Sequence, residues 1–234
     1  MSISENIAVV RERMANAAQR AGRAAEEIAL MTVSKTQPPD RIREAYDAGQ
    51  RVFGENRVQE FSGKAAALQN LKGAEWHMIG HLQTNKAAKT VELFAVVDSV
   101  DSLKLAEKLE AAARSLGKQL DVLIEINVGG EAAKSGMAPD SPALEELLSA
   151  APRLEALVFR GLMTVPPFTA EPEGARAHFR KLRELRDTIA ARKLPAVAMD
   201  ELSMGMSHDF EVAIEEGSTC VRVGTAIFGE RVKT

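Results

Sequence analysis

Along this chain, short apolar runs, many of them β-branched, alternate with stretches rich in Ala, Leu, Lys and Glu. The opening segment has helical spacing, with Ile7, Val10, Met14 and Ala17 on one face, Ser4 able to cap its start and Gly22 able to end it. Eight strand candidates follow, at residues 28–34, 51–54, 75–79, 93–97, 121–128, 156–163, 198–204 and 220–223. Each intervening segment is long enough for a crossover helix, so the strands should run parallel rather than as hairpins. Eight such units suggest closure into a single α/β domain over residues 1–234: a (β/α)8 TIM barrel with an extra N-terminal helix. An open doubly wound sheet is the competing arrangement. Residues 129–142 and 166–173 read as longer loops.

Composition narrows the class of function. The chain has 45% hydrophobic and 27% charged residues, the range of a folded globular protein, and its net charge of −3 gives no electrostatic reason to expect nucleic acid. Its one cysteine, Cys220, cannot form an internal disulfide, which fits a reducing compartment. The first twenty residues carry charges where a signal peptide needs an apolar block, and no membrane-spanning run follows, so a cytoplasmic protein with small partners is expected.

Barrel chemistry collects at the carboxyl ends of the strands, and the unusual residues fall there. Lys35 follows the first run, Asn56 the second, Gly80 and His81 the third and Ser99 the fourth. Asn127 closes the fifth, Met163 and Thr164 the sixth, residues 203–207 follow the seventh, and Arg222, Gly224 and Thr225 mark the eighth. A lysine at a barrel mouth is partly desolvated, which disfavours the ammonium and yields an amine able to condense with an aldehyde. By position alone, a rim lysine reaching water is the commoner reading. The last two loops change the balance. SMGMS supplies two hydroxyls around a glycine, with Ser207 placed to cap the next helix, and VRVGTAIFG supplies Gly224 and Thr225 at another helix start. Loops after the seventh and eighth strands often build phosphate sites in barrels, although Asp209 and Glu211 argue against an anion on the first of these helices. Arg222 alternates with valines, so either it or they face the interior. An interior guanidinium needs an acceptor: a pyridine nitrogen would serve, as would Glu125 or Glu201.

Taken together, TVSKTQP, VFGENRVQE, WHMIGHLQTNK, SVDS, GLMTV, LSMGMSHDFEVAI and VRVGTAIFG resemble the pyridoxal phosphate homeostasis protein family, related to the amino-terminal barrel of alanine racemase. The resemblance runs from about Ile28 to Arg231. It implies a barrel carrying pyridoxal 5′-phosphate (PLP) as a Schiff base on Lys35. It also implies Arg222 against the pyridine nitrogen, Ser203, Ser207, Gly224 and Thr225 on the phosphate, and Asn56 near the ring. The function implied is intracellular PLP homeostasis, by binding, storing and delivering the cofactor to PLP-dependent apo-enzymes, with no catalytic residue assigned.

A two-base racemase needs a second acid or base, supplied in the related racemases by a tyrosine from an added domain and a partner subunit. The single tyrosine here, Tyr46, sits on the first crossover helix, and the sequence ends at Thr234 without that domain, so a monomeric carrier is expected. An arginine at the ring nitrogen would also leave the cofactor a weak electron sink. A PLP-dependent racemase or decarboxylase remains the alternative, with a cofactor-free Schiff-base aldolase behind it. His77 and His81 have the spacing of paired zinc ligands on a helix, but Gly80 and the strand-like context argue against a metal, and His77 reads as packed or cofactor-lining. Cys220 reads as buried and inert, and Lys134 as a solvated loop residue that could gate the mouth.

Overall fold

In the computed structural model, which describes residues 1–131 and 134–230, all eight runs become strands. They are β1 Ala29–Val33, β2 Val52–Glu55, β3 Glu75–Met78, β4 Val96–Val100, β5 Leu120–Glu125, β6 Leu157–Met163, β7 Val197–Met206 and β8 Cys220–Val223. A helix α1, Ile3–Arg20, precedes them. After each strand comes a helix in turn: α2 Pro39–Asp47, α3 Val58–Leu68, α4 Ala87–Leu93, α5 Leu103–Ser115, α6 Pro142–Ala150, α7 Arg176–Ala191, α8 Phe210–Glu215 and α9 Thr225–Phe228. Every neighbouring pair is parallel, and β8 returns to β1 in the register Ala29↔Cys220 to Thr32↔Val223. The sheet is therefore closed, not open. Residues 132, 133 and 231–234, which the expected domain includes, lie outside the described residues.

The N-terminal helix closes a gap in the outer layer. The helices after β7 and β8 have only six and four residues, too short to cover those strands. Helix α1 packs on both, burying Ile3, Ile7, Val10, Met14, Ala17 and Ala18. Its Asn6 Nδ2 donates to Ile227 O at 2.8 Å. The cap is Ser2 rather than Ser4: Ser2 Oγ accepts from the Glu5 N–H, and the Glu5 carboxylate accepts from the Ser2 N–H. Ser4 falls inside the first turn because Ile3 already belongs to the buried face.

Strand boundaries move where polar residues enter the barrel. Strand β4 lies three residues later than its apolar run, since Leu93 ends α4 and the strand continues through Asp98 and Ser99, both fully buried. Asp is rare in strands, but this one is satisfied from inside the barrel. Strand β7 runs on to Met206, two residues past its expected run, so Ser203 lies well inside it. Between β7 and β8 the pairing shifts from Ser203↔Cys220 to Met206↔Arg222, one extra residue on β7. Gly205, at φ +95°, occupies this bulge, where a Cβ would lie 2.5 Å from Ala213 Cβ. Bulges re-aim the chain near functional sites, and this one carries Ser207 over the end of β8.

Candidate functional site at the carboxyl mouth

Alternation along β1 places Val33 and Lys35 on the same side, facing a cavity of about 350 Å³ at the carboxyl end of the barrel. Asn56, Ser207, Arg222, Gly224 and Thr225 line the same cavity, so residues from the first, second, seventh and eighth strand ends meet there. Lys35 is half-buried. Gly80, beyond β3, lets the backbone pass Asn56: a Cβ there would stand 2.4 Å from Asn56 O. Asn56 Oδ1 is buried without a hydrogen-bond partner, as a group awaiting a ligand would be.

Ser207 does not cap α8. The N-cap position is Asp209, whose Oδ1 turns back to accept from the Met206 N–H at 2.7 Å rather than from the helix. Ser207 Oγ instead receives the N–H groups of Gly224 at 3.2 Å and Ala226 at 3.4 Å. The two loops thus face each other across a pair of backbone donors, a cradle suited to an anion.

Arg222, not its flanking valines, faces the interior. It is 4% exposed, and donates to Ser203 Oγ at 2.8 Å and Thr164 O at 2.6 Å. Among the described residues these neutral acceptors, rather than Glu125 or Glu201, take its hydrogen bonds. Burial lowers the guanidinium pKa, opposed by the charges of Asp98, Asp209 and Glu125. Ser203, expected on the phosphate, lies beneath the cavity rather than in its lining: its hydroxyl accepts from Arg222 and donates to Asp98 Oδ2 at 3.1 Å. Asp98 Oδ1 bonds His77 Nδ1 at 2.8 Å, and His77 Nε2 bonds Glu75 Oε1 at 3.0 Å. A line of alternating charge therefore runs from the mouth to the far end of the barrel. Burial opposes the imidazolium, but Asp98 and then Glu75 outweigh it and push the His77 pKa up to about 10.

Several expected residues stand elsewhere. His77 belongs to this interior line, and His81 pairs with Asp101 at 3.1 Å. Asn127 holds its own loop through Glu131 O and Lys134 O, and Lys134 Nζ reaches Pro166 O at 3.1 Å and Glu131 at 3.2 Å. Lys134 thus ties two loops at the mouth together instead of standing in solvent. Tyr46 donates to Lys72 O, away from the cavity. Cys220 is buried, and burial pushes its thiol pKa up. Sequence reading missed Ile79, Met206, His208 and Phe228, which also line the cavity. His208 was visible as the neighbour of Ser207; the apolar three read no differently from core residues. No helix among the described residues is long and apolar enough to cross a membrane.

The alanine racemase, N-terminal domain family matches residues 4–232 of this chain. The pyridoxal phosphate homeostasis protein of Aquifex aeolicus is 48% identical over 231 residues, covering 99% of both chains. That of Escherichia coli strain K12 is 45% identical over 231 residues, covering 98% of this chain and 97% of its own. The structure of PipY of Synechococcus elongatus, solved with PLP bound, is 37% identical with a TM-score of 0.85, over 97% of this chain and 100% of that one. Alanine racemase from Streptomyces coelicolor is 21% identical with a TM-score of 0.73, over 96% of this chain and 58% of that one; this likeness is one of fold.

Proposed function

We propose that this chain, which belongs to the pyridoxal phosphate homeostasis protein family, holds PLP as a Schiff base on Lys35 and serves as its store and donor. The observation that carries this reading is that Lys35, at the end of the first strand, lines one cavity with Arg222, on the last, and with Ser207, Gly224 and Thr225, where Ser207 Oγ accepts from the Gly224 and Ala226 N–H groups. The cavity is within the size range of small-ligand sites. Among the described residues its lining includes Lys35 and Arg222 but no Asp or Glu, so its charge favours an anion. The unpartnered Asn56 Oδ1 fits a ligand with polar ring substituents.

When bound, PLP would supply an aldehyde carbon, a phosphate and a pyridine nitrogen. Lys35 Nζ would hold the aldehyde carbon with loss of water. Ser207, Gly224 and Thr225 would orient the phosphate through a hydroxyl and backbone donors, and Asn56 would face the ring. Arg222 would donate to the ring nitrogen from N–H groups not spent on Ser203 and Thr164. Ser203 would then act on Arg222, not on the phosphate. A guanidinium holds its proton at neutral pH, so Arg222 cannot transfer one to the ring, which favours a carrier over strong carbanion chemistry.

Borohydride reduction of the PLP-loaded protein, digestion and peptide mass analysis should place the pyridoxyl mass on Lys35. Bound PLP with Lys35 unmodified overturns the reading. The carrier role predicts passage of PLP to a PLP-dependent apo-enzyme without turnover by the chain itself. Sustained turnover of an amino acid would favour the racemase or decarboxylase reading, with His208 as the second acid or base.

A further inference from the structure

Directly behind the Lys35 turn lies a second lysine that the sequence pattern hides. Lys64, on α3, is 7% exposed in a helix whose neighbouring residues are largely Ala, Phe and Leu. Its Nζ lies 2.8 Å from Glu55 Oε1 and 3.3 Å from Glu60 Oε1, and donates to Ser34 O at 3.1 Å and Gln37 O at 3.4 Å. Those two carbonyls bracket Lys35 and Thr36. Glu55 is fully buried and its Oε1 also accepts from Ser34 Oγ at 2.5 Å. Glu60 Oε1 accepts from the Thr36 N–H at 2.5 Å. Ser34, Thr36 and Gln37 are therefore each tied to this cluster by backbone or side chain.

The turn needs such restraint. Thr36 has φ +64°, a left-handed conformation that a β-branched residue adopts only at a cost of roughly 1–3 kcal/mol. Strain of this kind persists where the surroundings over-determine it. The cluster is also an inefficient way to gain stability. A buried ion pair often does no better than apolar side chains of similar volume, and Glu55 Oε2 has no hydrogen-bond partner among the described residues. Burial raises the Glu55 pKa, opposed chiefly by Lys64, so the carboxylate depends on that lysine for its charge. What the cluster does supply is a fixed direction for the side chain between Ser34 and Thr36.

We propose that Lys64, Glu55 and Glu60 form a clamp that positions Lys35 for attack on an aldehyde, holding the strained Thr36 turn in the one conformation that aims Lys35 into the mouth cavity. The inference rests on Lys35 being the attachment point. Lys64, Glu55 and Glu60 are positioning residues, and none of them lines the cavity.

The test compares Lys64→Met and Glu60→Ala with the wild-type chain, using PLP and pyridoxine 5′-phosphate, which has the phosphate and ring but no aldehyde. Glu60→Ala frees the Thr36 N–H without unpairing the buried Glu55–Lys64 contact, so it keeps the test decisive if Lys64→Met does not fold. Both should slow Schiff-base formation on Lys35, followed by visible absorbance and by borohydride-trapped peptide, by roughly tenfold or more, the scale of a reacting group misplaced by a fraction of an ångström to an ångström. Pyridoxine 5′-phosphate should bind within about threefold of wild type, because the phosphate cradle and Arg222 are untouched. Schiff-base formation at the wild-type rate in Glu60→Ala would overturn the clamp, as would an equal loss of binding for both compounds, which marks general damage to the pocket. Failure of the wild-type chain itself to label Lys35 would instead defeat the underlying attachment reading, and the clamp with it.

Discussion

Replacing Asp98 by asparagine removes the negative charge at the centre of the interior line while keeping the size of the side chain. Asp98 is fully buried, with His77 on one oxygen and Ser203, itself bonded to Arg222, on the other. Its loss leaves a guanidinium and an imidazolium inside the barrel without the anion between them, a situation that costs about 3–5 kcal/mol. For a chain of this length that corresponds to a fall in Tm of roughly 6–20 °C. The pH dependence is more diagnostic than the size. His77 has a folded pKa of about 10 against an ordinary value of 6.5, so its contribution to stability is fully present below about pH 6.5 and is lost as pH rises through about 10. In Asp98→Asn, burial of the ring is opposed mainly by Glu75, and the His77 pKa moves down. The wild type should therefore lose its advantage with rising pH, by up to about 1.4 kcal/mol per pH unit between pH 7 and 9. Urea titrations of both proteins across that range, with His77 followed by NMR, measure the gap directly. A loss below about 1 kcal/mol at pH 7, or a gap that stays constant from pH 7 to 9, would show that His77 is not held charged by Asp98.

Gly205→Ala forces a side chain into the bulge at φ +95°, 2.5 Å from Ala213 Cβ and 3.0 Å from Phe210 Cα, and should cost about 2–4 kcal/mol through backbone strain and overpacking together; a denaturant midpoint equal to wild type would refute this. Cys220 should resist alkylation in the native protein and react fully in denaturant, since it is buried and its thiol pKa is raised by that burial; rapid native-state labelling would contradict the packing of β8.

The strands were legible because parallel strands covered on both sides are nearly continuous apolar runs. That same rule placed β4 three residues too early, because Asp98 and Ser99 interrupt its apolar run but remain inside the barrel. Lys35, Asn56, Ser207, Arg222, Gly224 and Thr225 could be gathered from sequence because a strand end is itself a position in space: the barrel brings all eight ends to one face. Ser203 could not be separated from them. SMGMS reads as one loop, and only the extra residue at the Gly205 bulge puts Ser203 below the cavity and Ser207 at its rim. Lys64 gave no signal, because a lysine in an Ala-rich helix normally reaches water; what buries it is a carboxylate from another strand and two carbonyls of a turn.

The two buried charge systems, one around each cation of the mouth, solve the same physical problem in opposite ways. Arg222 must stay charged in a site that burial makes unfavourable, and it does so through Ser203 and Thr164, with Asp98 and His77 behind them, so that N–H donors remain unspent toward the cavity. On the proposed attachment, Lys35 would have to give up its proton to act as a nucleophile, and the acidic residues beside its turn, Glu55 and Glu60, are engaged with Lys64, Ser34 and Thr36. Placing a second lysine behind the turn lets the fold fix the position of Lys35 with strong charge-assisted bonds while the anions that make those bonds are neutralised by another cation.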